Sequence, residues 1–303
     1  MPREIAHCHI ATSALSQIES FNTLLTNNES LRSSFLLGAI SPDSAYYNIL
    51  LLKNGNKYAD LFHGADSHDS FQFIKNILDK DAPTRDQHLN FFFLGVISHI
   101  LLDSYWHPFI FKVTGDYNHP NAIERTNARA RHRRLETVID QLLLGEIDSN
   151  ITNFKISKFL AEMESPFLND TASKLSSLLD ANQATIIKTW KWHSNLQNIF
   201  ISAGGKKIRH SPFIKREIRS LFNSHDPTEL MRIKSLVESY NNLKFTKWIE
   251  ESIEKLSMVF KQYGEDPHKF IVNQIGPSAV TGLIGTLNPT IEYDIENTLL
   301  EGY

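Results

Sequence analysis

The run from Phe91 to Phe111, FFFLGVISHILLDSYWHPFIF, is the most apolar stretch of the chain, and ionisable side chains interrupt it. His99, Asp103 and His107 stand four and four residues apart within this run. Its length would suit a membrane span, but these residues and Pro108 argue against one. A buried ionisable group needs a partner or an ion to offset its desolvation. We therefore expect a buried helix that carries a site.

The spacing of these residues is typical of metal ligands on a helix. Residues four apart lie on one face, so His99 and Asp103 are able to hold one ion together. His107 lies about 80° round the helix from His99, which favours a second ion. The run RHRRLETVID supplies another pair of this kind, His132 and Glu136. With His107 this pair predicts a three-ligand zinc site with an open position, as in catalytic zinc sites.

The overall composition is that of an ordinary globular protein, with 41% hydrophobic and 21% charged residues among 303. A formal charge of -3 provides no global field that would attract nucleic acid or an anionic membrane. The one cysteine, Cys8, excludes an intramolecular disulfide and is typical of a reducing compartment. The N-terminal run MPREIAHCHIATSAL has no apolar h-region and no cleavage site, so no signal peptide is predicted. We expect a protein without a transmembrane segment, either cytoplasmic or exported by a non-Sec route.

Helical periodicity dominates the chain, and the alternation typical of strands is scarce. The apolar helix is predicted near Thr84 to Trp106, with a capping box, TRDQ, at its start and Pro108 at its end. We expect one compact unit of two parts, a zinc-site helical core over residues 1–150 and a helical C-terminal extension over residues 151–303. Further helices are predicted near Ile5 to Leu25, Leu31 to Gly38, Ser70 to Leu78, Ala122 to Leu144, Ile156 to Met163, Ala172 to Trp192, Phe213 to Phe222 and Pro227 to Tyr263, and a flexible loop or lid from Ile275 to Pro289.

Five segments of the chain carry a resemblance to a known family. In chain order they are IAHCHIATSAL, LLGAISPD, YADLFHG, FFFLGVISHILLDSYWHPFI and HRRLETVIDQLL. With these segments the chain resembles the zinc-dependent phospholipase C family, relatives of the trinuclear-zinc bacterial phosphatidylcholine-cleaving enzymes and, more distantly, of the P1/S1 single-strand nucleases. The likeness covers residues 1–146 well. It implies an all-α, multi-helix phospholipase C/P1 nuclease-like bundle with a helical C-terminal extension.

The resemblance implies a cluster of two to three Zn²⁺ ions and names their ligands. One zinc would be held by Asp43, His63, His99 and Asp103, a second by His107, His132 and Glu136, and a third by His7 with Asp103 bridging. Asp43, in GAISPD, is also similar to the family's aspartate that is proposed to activate the attacking water. This makes Asp43 the predicted catalytic residue.

Two of the implied ligands have rivals nearby. His9 lies close to His7, and His68 lies in the same stretch as His63. The chain also departs from the best-known secreted members, which begin with a tryptophan whose amine and carbonyl complete the third site. This chain begins Met-Pro, and Pro2 would offer its amine only after removal of the initiator methionine. The sequence therefore leaves the third site's N-terminal ligand open.

The resemblance implies an enzyme, namely a zinc-dependent phosphodiester hydrolase. The favoured reaction is phospholipase C cleavage of glycerophospholipids to diacylglycerol and a phosphorylated headgroup by metal-activated water. The expected partners are a phospholipid substrate and a transiently contacted membrane surface, without nucleic acid, and the oligomeric state is open. Two alternatives stay open, a zinc-dependent nuclease or other phosphodiesterase of the same superfamily and a catalytically inactive, zinc-stabilised binding protein.

Overall fold

The structure, a computed structural model, contains ten α-helices and no strand within the residues that it describes, which confirms the all-α class. The described residues are 4–48, 59, 62–63, 87–116, 119–147, 151–163, 165–179, 181–201, 221 and 227–265. The helices are α1 Glu4–Ser16, α2 Glu19–Thr26, α3 Glu29–Ser44, α4 Gln87–Thr114, α5 Ala122–Glu146, α6 Ile156–Glu162, α7 Ser165–Leu179, α8 Gln183–Ile201, α9 Pro227–Asn241 and α10 Phe245–Glu265. Short 3₁₀ turns cover Ala45–Asn48 and Ile151–Phe154.

The crossing of α3 and α4 lies at the centre of the fold, and two glycines let the two backbones touch. A Cβ on Gly38 would lie 2.0 Å from the Phe92 carbonyl oxygen, and one on Gly95 would lie 2.1 Å from the Phe35 carbonyl oxygen. Only glycine fits at either position, because the obstructing atoms belong to the backbone. This close approach sets the C-terminal half of α3, which carries Asp43, against the ionisable stretch of α4.

Helix α4 is 28 residues long, and its length and hydropathy would suit a membrane span. In the fold, however, 78% of its most apolar window is buried inside the protein. Phe92, Phe93, Val96, Ile97 and Ile110 are fully buried. Helix α4 is therefore a core helix of this protein, as the ionisable residues in its sequence predict.

Pro108 does not end α4, so the predicted helix end at this residue is wrong. The helix continues through Pro108 to Thr114. A proline inside a helix removes one hydrogen bond and costs about 3 kcal/mol. Phe109, Ile110 and Val113, beyond the proline, are buried, and each buried apolar side chain contributes about 1.5–3 kcal/mol. Their burial therefore outweighs the cost of the proline.

Asp140 on helix α5 contacts the first described turn of α1. The Asp140 carboxylate on α5 accepts hydrogen bonds from the backbone N–H of Ile5 at 3.1 Å and of Ala6 at 2.9 Å. A carboxylate in this place satisfies donors that have no partner within the helix, and it complements the positive end of the helix dipole. Asp140 therefore holds the first turn of α1, and with it His7, against α5.

Three predicted helices are divided in the structure. The predicted helix that starts at residue 5 covers parts of α1 and α2. The one from residue 172 covers parts of α7 and α8, and the one from residue 227 covers parts of α9 and α10. The last division falls at Asn242, whose φ of 52° is the left-handed conformation that commonly follows a helix end. The predicted helix near Ser70 to Leu78, the cap at Thr84, the loop from Ile275 to Pro289 and all but Leu221 of the predicted helix near Phe213 to Phe222 lie outside the described residues.

The C-terminal helices pack against the N-terminal ones. The ring of Trp106 on α4 stacks on Trp248 of α10 at 4.1 Å between centroids, and Trp106 Nε1–H donates to Ser252 Oγ at 2.9 Å. Arg134 of α5 donates from Nε to Glu229 of α9 at 2.7 Å. These contacts hold α9 and α10 against the helices that carry the ionisable cluster. The division of the chain into two parts near residue 150 stays a prediction.

Candidate metal centre

Asp103 on α4 lies in the middle of a buried cluster of histidines. Its Oδ2 lies 3.4 Å from His99 Nε2 and 3.3 Å from His63 Nε2, and its Oδ1 lies 3.4 Å from His7 Nε2 and 3.6 Å from His107 Nε2. All five side chains are buried. One carboxylate thus faces imidazoles from α1, from the segment around residue 63 and from α4.

Asp43, near the C-terminal end of α3, is the second carboxylate of the cluster. Its Oδ1 lies 3.2 Å from His63 Nε2 and 3.6 Å from His99 Nε2. Donor atoms of His7, Asp43 and His99 lie within 4.8 Å of one another, and so do donor atoms of His63, His99 and Asp103. The rings of His7 and His99 are stacked, with centroids 3.9 Å apart. Because the two groups share His99, they form one continuous cluster.

A third group of donors combines α4 with α5. His132 Nε2 lies 2.8 Å from Glu136 Oε1, and both project from one face of α5 because they are four residues apart. The rings of His107 and His132 have centroids 5.5 Å apart. Donor atoms of these three residues lie within 4.8 Å of one another. The packing of α5 on α4 therefore assembles the three-residue group that the two helical spacings predict.

Backbone carbonyls set the orientation of two rings in the cluster. His99 Nδ1 lies 2.8 Å from the Ala39 carbonyl oxygen, and His63 Nδ1 lies 2.7 Å from the Ala59 carbonyl oxygen. A carbonyl only accepts, so Nδ1 donates in both rings and, in a neutral imidazole, Nε2 carries a lone pair. Both Nε2 atoms face the carboxylates. An acceptor behind the ring is the usual support of a metal-ligating histidine.

The donor atoms of the cluster fit a zinc ion. Within the described part of the chain, both ring nitrogens of His7, both carboxylate oxygens of Asp103 and Oδ1 of Asp43 are buried without a hydrogen-bond partner. A buried polar atom in this state costs about 1–3 kcal/mol, and more when charged. Two ligands of a tetrahedral zinc, each about 2.0–2.2 Å from the ion, lie about 3.3–3.6 Å apart. The separations around Asp43 and Asp103, 3.2 to 3.6 Å, agree with this distance.

The electrostatics of the centre follow from its burial and its carboxylates. Burial lowers the pKa of His7 to about 4 and holds the pKa of His107 and of His132 well below the usual value. Burial also lowers the pKa of His63, but two neighbouring carboxylates outweigh it and raise this pKa to about 10. Imidazoles bind metals in the neutral form. Burial therefore keeps the rings of His7, His107 and His132 neutral and ready to bind a metal. The ring of His63 is held protonated by its two carboxylates, so it must release a proton when a cation binds there.

The structure gathers all eight predicted ligands in this centre. They are His7, Asp43, His63, His99, Asp103, His107, His132 and Glu136. The rival of His7, His9, is half-buried and belongs to none of the three groups, whereas His68 lies outside the described residues. His7 shares a group with Asp43 and His99, in addition to its contact with Asp103. The role of each residue as a ligand stays a prediction.

The motifs that build this centre match a family model. The model of the family described as zinc dependent phospholipase C matches residues 6–186, more than half of the chain. The chain belongs to the zinc-dependent phospholipase C family. Membership in this family of zinc-dependent hydrolases supports zinc as the cofactor, and all eight gathered residues lie in the matched stretch. Comparisons with curated proteins and with solved structures found no match.

In this member of the zinc-dependent phospholipase C family, two residues beside the centre are not among the ligands that the sequence predicts. Glu4 and His193 line a small cavity together with His7 and Asp43. Glu4 and His193 are 189 residues apart, so no local spacing connects them. Only the packing of α8 beside α1 and α3 brings them together.

Proposed function

We propose that this protein is a phospholipase C that hydrolyses the phosphodiester of glycerophospholipids to diacylglycerol and a phosphorylated headgroup. The observation that carries the proposal is the meeting of three donor groups in one buried centre. Membership in the zinc-dependent phospholipase C family supports the same conclusion. The centre would hold two to three Zn²⁺ ions through His7, Asp43, His63, His99, Asp103, His107, His132 and Glu136.

Cleavage of a phosphodiester needs neutralisation of the phosphate charge and a nucleophilic water near neutral pH, both of which zinc supplies when bound. We assign Asp43 the role of accepting the proton of that water. The Asp43 side chain is 10% exposed, whereas that of Asp103 is 3% exposed. Asp43 is therefore the central carboxylate that reaches solvent. Its Oδ1 faces His63 and His99, which leaves Oδ2 to receive the proton.

The decisive experiment measures headgroup release from phospholipid vesicles by the purified protein, with and without a chelator, alongside its zinc content. Asp43→Asn keeps an oxygen on the cluster but removes the base. We therefore expect turnover to fall by about 10²–10⁴-fold even at zinc concentrations that fill the weakened site. Glu250→Gln makes the same exchange on the exposed face of α10 and should keep full turnover. Full turnover in Asp43→Asn would contradict the role of Asp43 as base.

Two other functions are outcomes of the same experiment. Zinc-dependent release of nucleotides from single-stranded nucleic acid, without headgroup release, would replace the lipid by nucleic acid as substrate. Zinc binding without any turnover would identify a zinc-stabilised binding protein. We propose the phospholipid as partner, reached through a transient contact with the membrane surface and not through a global charge, since the formal charge is only -3.

A further inference from the structure

His193 on α8 connects the start of α1 to the end of α3. Its Nε2 lies 2.7 Å from Glu4 Oε1, and its Nδ1 lies 2.9 Å from Ser44 Oγ. A carboxylate only accepts, so Nε2–H donates to Glu4. In a neutral ring Nδ1 is an acceptor, and it shares the single proton of the Ser44 hydroxyl with the Ile40 carbonyl oxygen, 3.1 Å from Oγ. All three side chains are buried, and the ring of Tyr47 stacks on His193 at 4.2 Å between centroids. One ring thus ties three helices together.

Both ends of this connection lie next to residues of the metal centre. Glu4 precedes His7 by three residues, which places both on one side of α1, and Ser44 directly follows Asp43. Glu4, His7, Asp43 and His193 line the same cavity of about 10 Å³, which has room for about one water molecule. A cavity of this size excludes a lipid headgroup. This cavity therefore offers Glu4 and His193 no contact with a lipid headgroup.

Serine, histidine and glutamate in this order also suggest a nucleophilic triad, but the geometry opposes that function. Ser44 is 1% exposed and lies within α3. Its hydroxyl also lies 3.1 Å from the Ile40 carbonyl oxygen, one turn back in the same helix. A nucleophile must reach the substrate. Ser44 is enclosed and does not reach substrate. The hydrogen bonds of His193 to Ser44 and Glu4 therefore act on the residues next to these two in the chain.

We propose that His193 is a positioning residue of the metal centre, holding Asp43 in place through Ser44 and His7 in place through Glu4. The inference rests on the proposed zinc centre and is independent of the lipid substrate. Glu4 and His193 both lie outside residues 6–186, so the family match does not include this connection. Outer-shell partners of metal ligands typically contribute about 10–100-fold to metal affinity.

The test compares metal binding at the two parts of the centre in His193→Ala and in the unaltered protein. Zinc affinity is measured by competition with a chromophoric chelator, and Co²⁺ absorption reports on each site separately. We expect about 10–100-fold weaker binding at the group of His7, Asp43 and His99. Binding at the group of His107, His132 and Glu136 should not change.

His88 offers a matched control for the loss of a buried histidine. Its Nε2 lies 3.0 Å from Ser30 Oγ, which is also on α3, and its ring stacks on Phe167 at 3.5 Å. His88 belongs to none of the three donor groups. His88→Ala should therefore lose stability as His193→Ala does, while its metal affinity stays unchanged.

Two gentler variants keep the proposal testable if His193→Ala does not fold. Ser44→Ala removes only the hydroxyl and should weaken the same group selectively. Glu4→Gln retains an acceptor for His193 Nε2–H and should keep most of the affinity that Glu4→Ala loses. Unchanged affinity in Ser44→Ala, or an equal loss at both groups in His193→Ala, would overturn the proposal. Because the readout is metal binding, failure of the lipid assay alone does not produce either result.

Discussion

Asp103 faces four histidines, two at each carboxylate oxygen. His7 and His107 lie at Oδ1, whereas His63 and His99 lie at Oδ2. Replacing Asp103 by asparagine removes the negative charge and turns one acceptor into an NH₂ donor. We expect Asp103→Asn to bind fewer zinc ions, with a loss of affinity that exceeds the roughly 100-fold upper value for outer-shell partners. Zinc content after desalting, measured by atomic emission, checks this expectation.

A second acidic residue provides the control at this scale. Glu162 accepts a hydrogen bond from Ser33 Oγ at 2.6 Å and belongs to none of the three donor groups. Glu162→Gln keeps an acceptor for that hydroxyl, so its zinc content should equal that of the unaltered protein. A full complement of zinc in Asp103→Asn would contradict the central place of Asp103.

At the scale of elements, the glycine contact between α3 and α4 determines how far apart their ligands lie. A Cβ on Gly95 would lie 2.1 Å from the Phe35 carbonyl oxygen and 2.7 Å from the Ala39 backbone nitrogen, so one helix must move. We expect Gly95→Ala to destabilise the fold by about 1–3 kcal/mol or more. It should also weaken zinc binding, because Asp43 moves relative to His99. Thermal unfolding and chelator competition measure the two effects.

Gly145, near the end of α5, is the matched glycine. A Cβ there meets no heavy atom within 4 Å. Alanine has a higher helix propensity than glycine by about 1 kcal/mol, so Gly145→Ala should be neutral or stabilising and should bind zinc normally. Normal stability and zinc affinity in Gly95→Ala would show that the close approach of α3 and α4 is not required.

At the scale of the whole molecule, zinc removal should weaken the entire fold, because the donor groups come from α1, α3, α4 and α5 as well as the segment around residue 63. A ligand present at about 1,000 times its dissociation constant stabilises the native state by about 4.1 kcal/mol. We therefore expect the chelated protein to melt at a lower temperature and to recover when zinc is added back. An unchanged melting temperature would show that the centre does not bind zinc tightly.

Cys8 provides a second readout of the same zinc removal. The thiol is buried next to His7 on α1, and burial raises its pKa, with the carboxylates of Glu4 and Asp140 adding to the shift. A raised pKa lowers the fraction of the reactive thiolate at a given pH. The zinc-loaded protein should therefore react slowly with an aromatic disulfide reagent, and the chelated protein should react faster. Equal rates in the two forms would indicate that α1 does not depend on the metal.

Local spacing and family-like motifs were sufficient to predict a large part of this molecule. Positions four apart on a helix have a fixed separation whatever the rest of the fold does, so the pairs His99 with Asp103 and His132 with Glu136 followed from the sequence alone. The all-α class followed from helical periodicity. Asp43 entered through the resemblance of its motif, because nothing in its own neighbourhood distinguishes it from an acidic turn residue.

The tertiary structure decided everything that depends on contacts between distant segments. Burial beyond Pro108 carried α4 past a residue that by local rules ends a helix. Packing placed His7 in the cluster and left His9 out, and it brought His193 between Glu4 and Ser44. Distances within a helix are set by backbone geometry, whereas distances between helices are set by which side chains, or which glycines, meet where they cross. A sequence examined one segment at a time therefore predicts distances within a helix but not distances between helices.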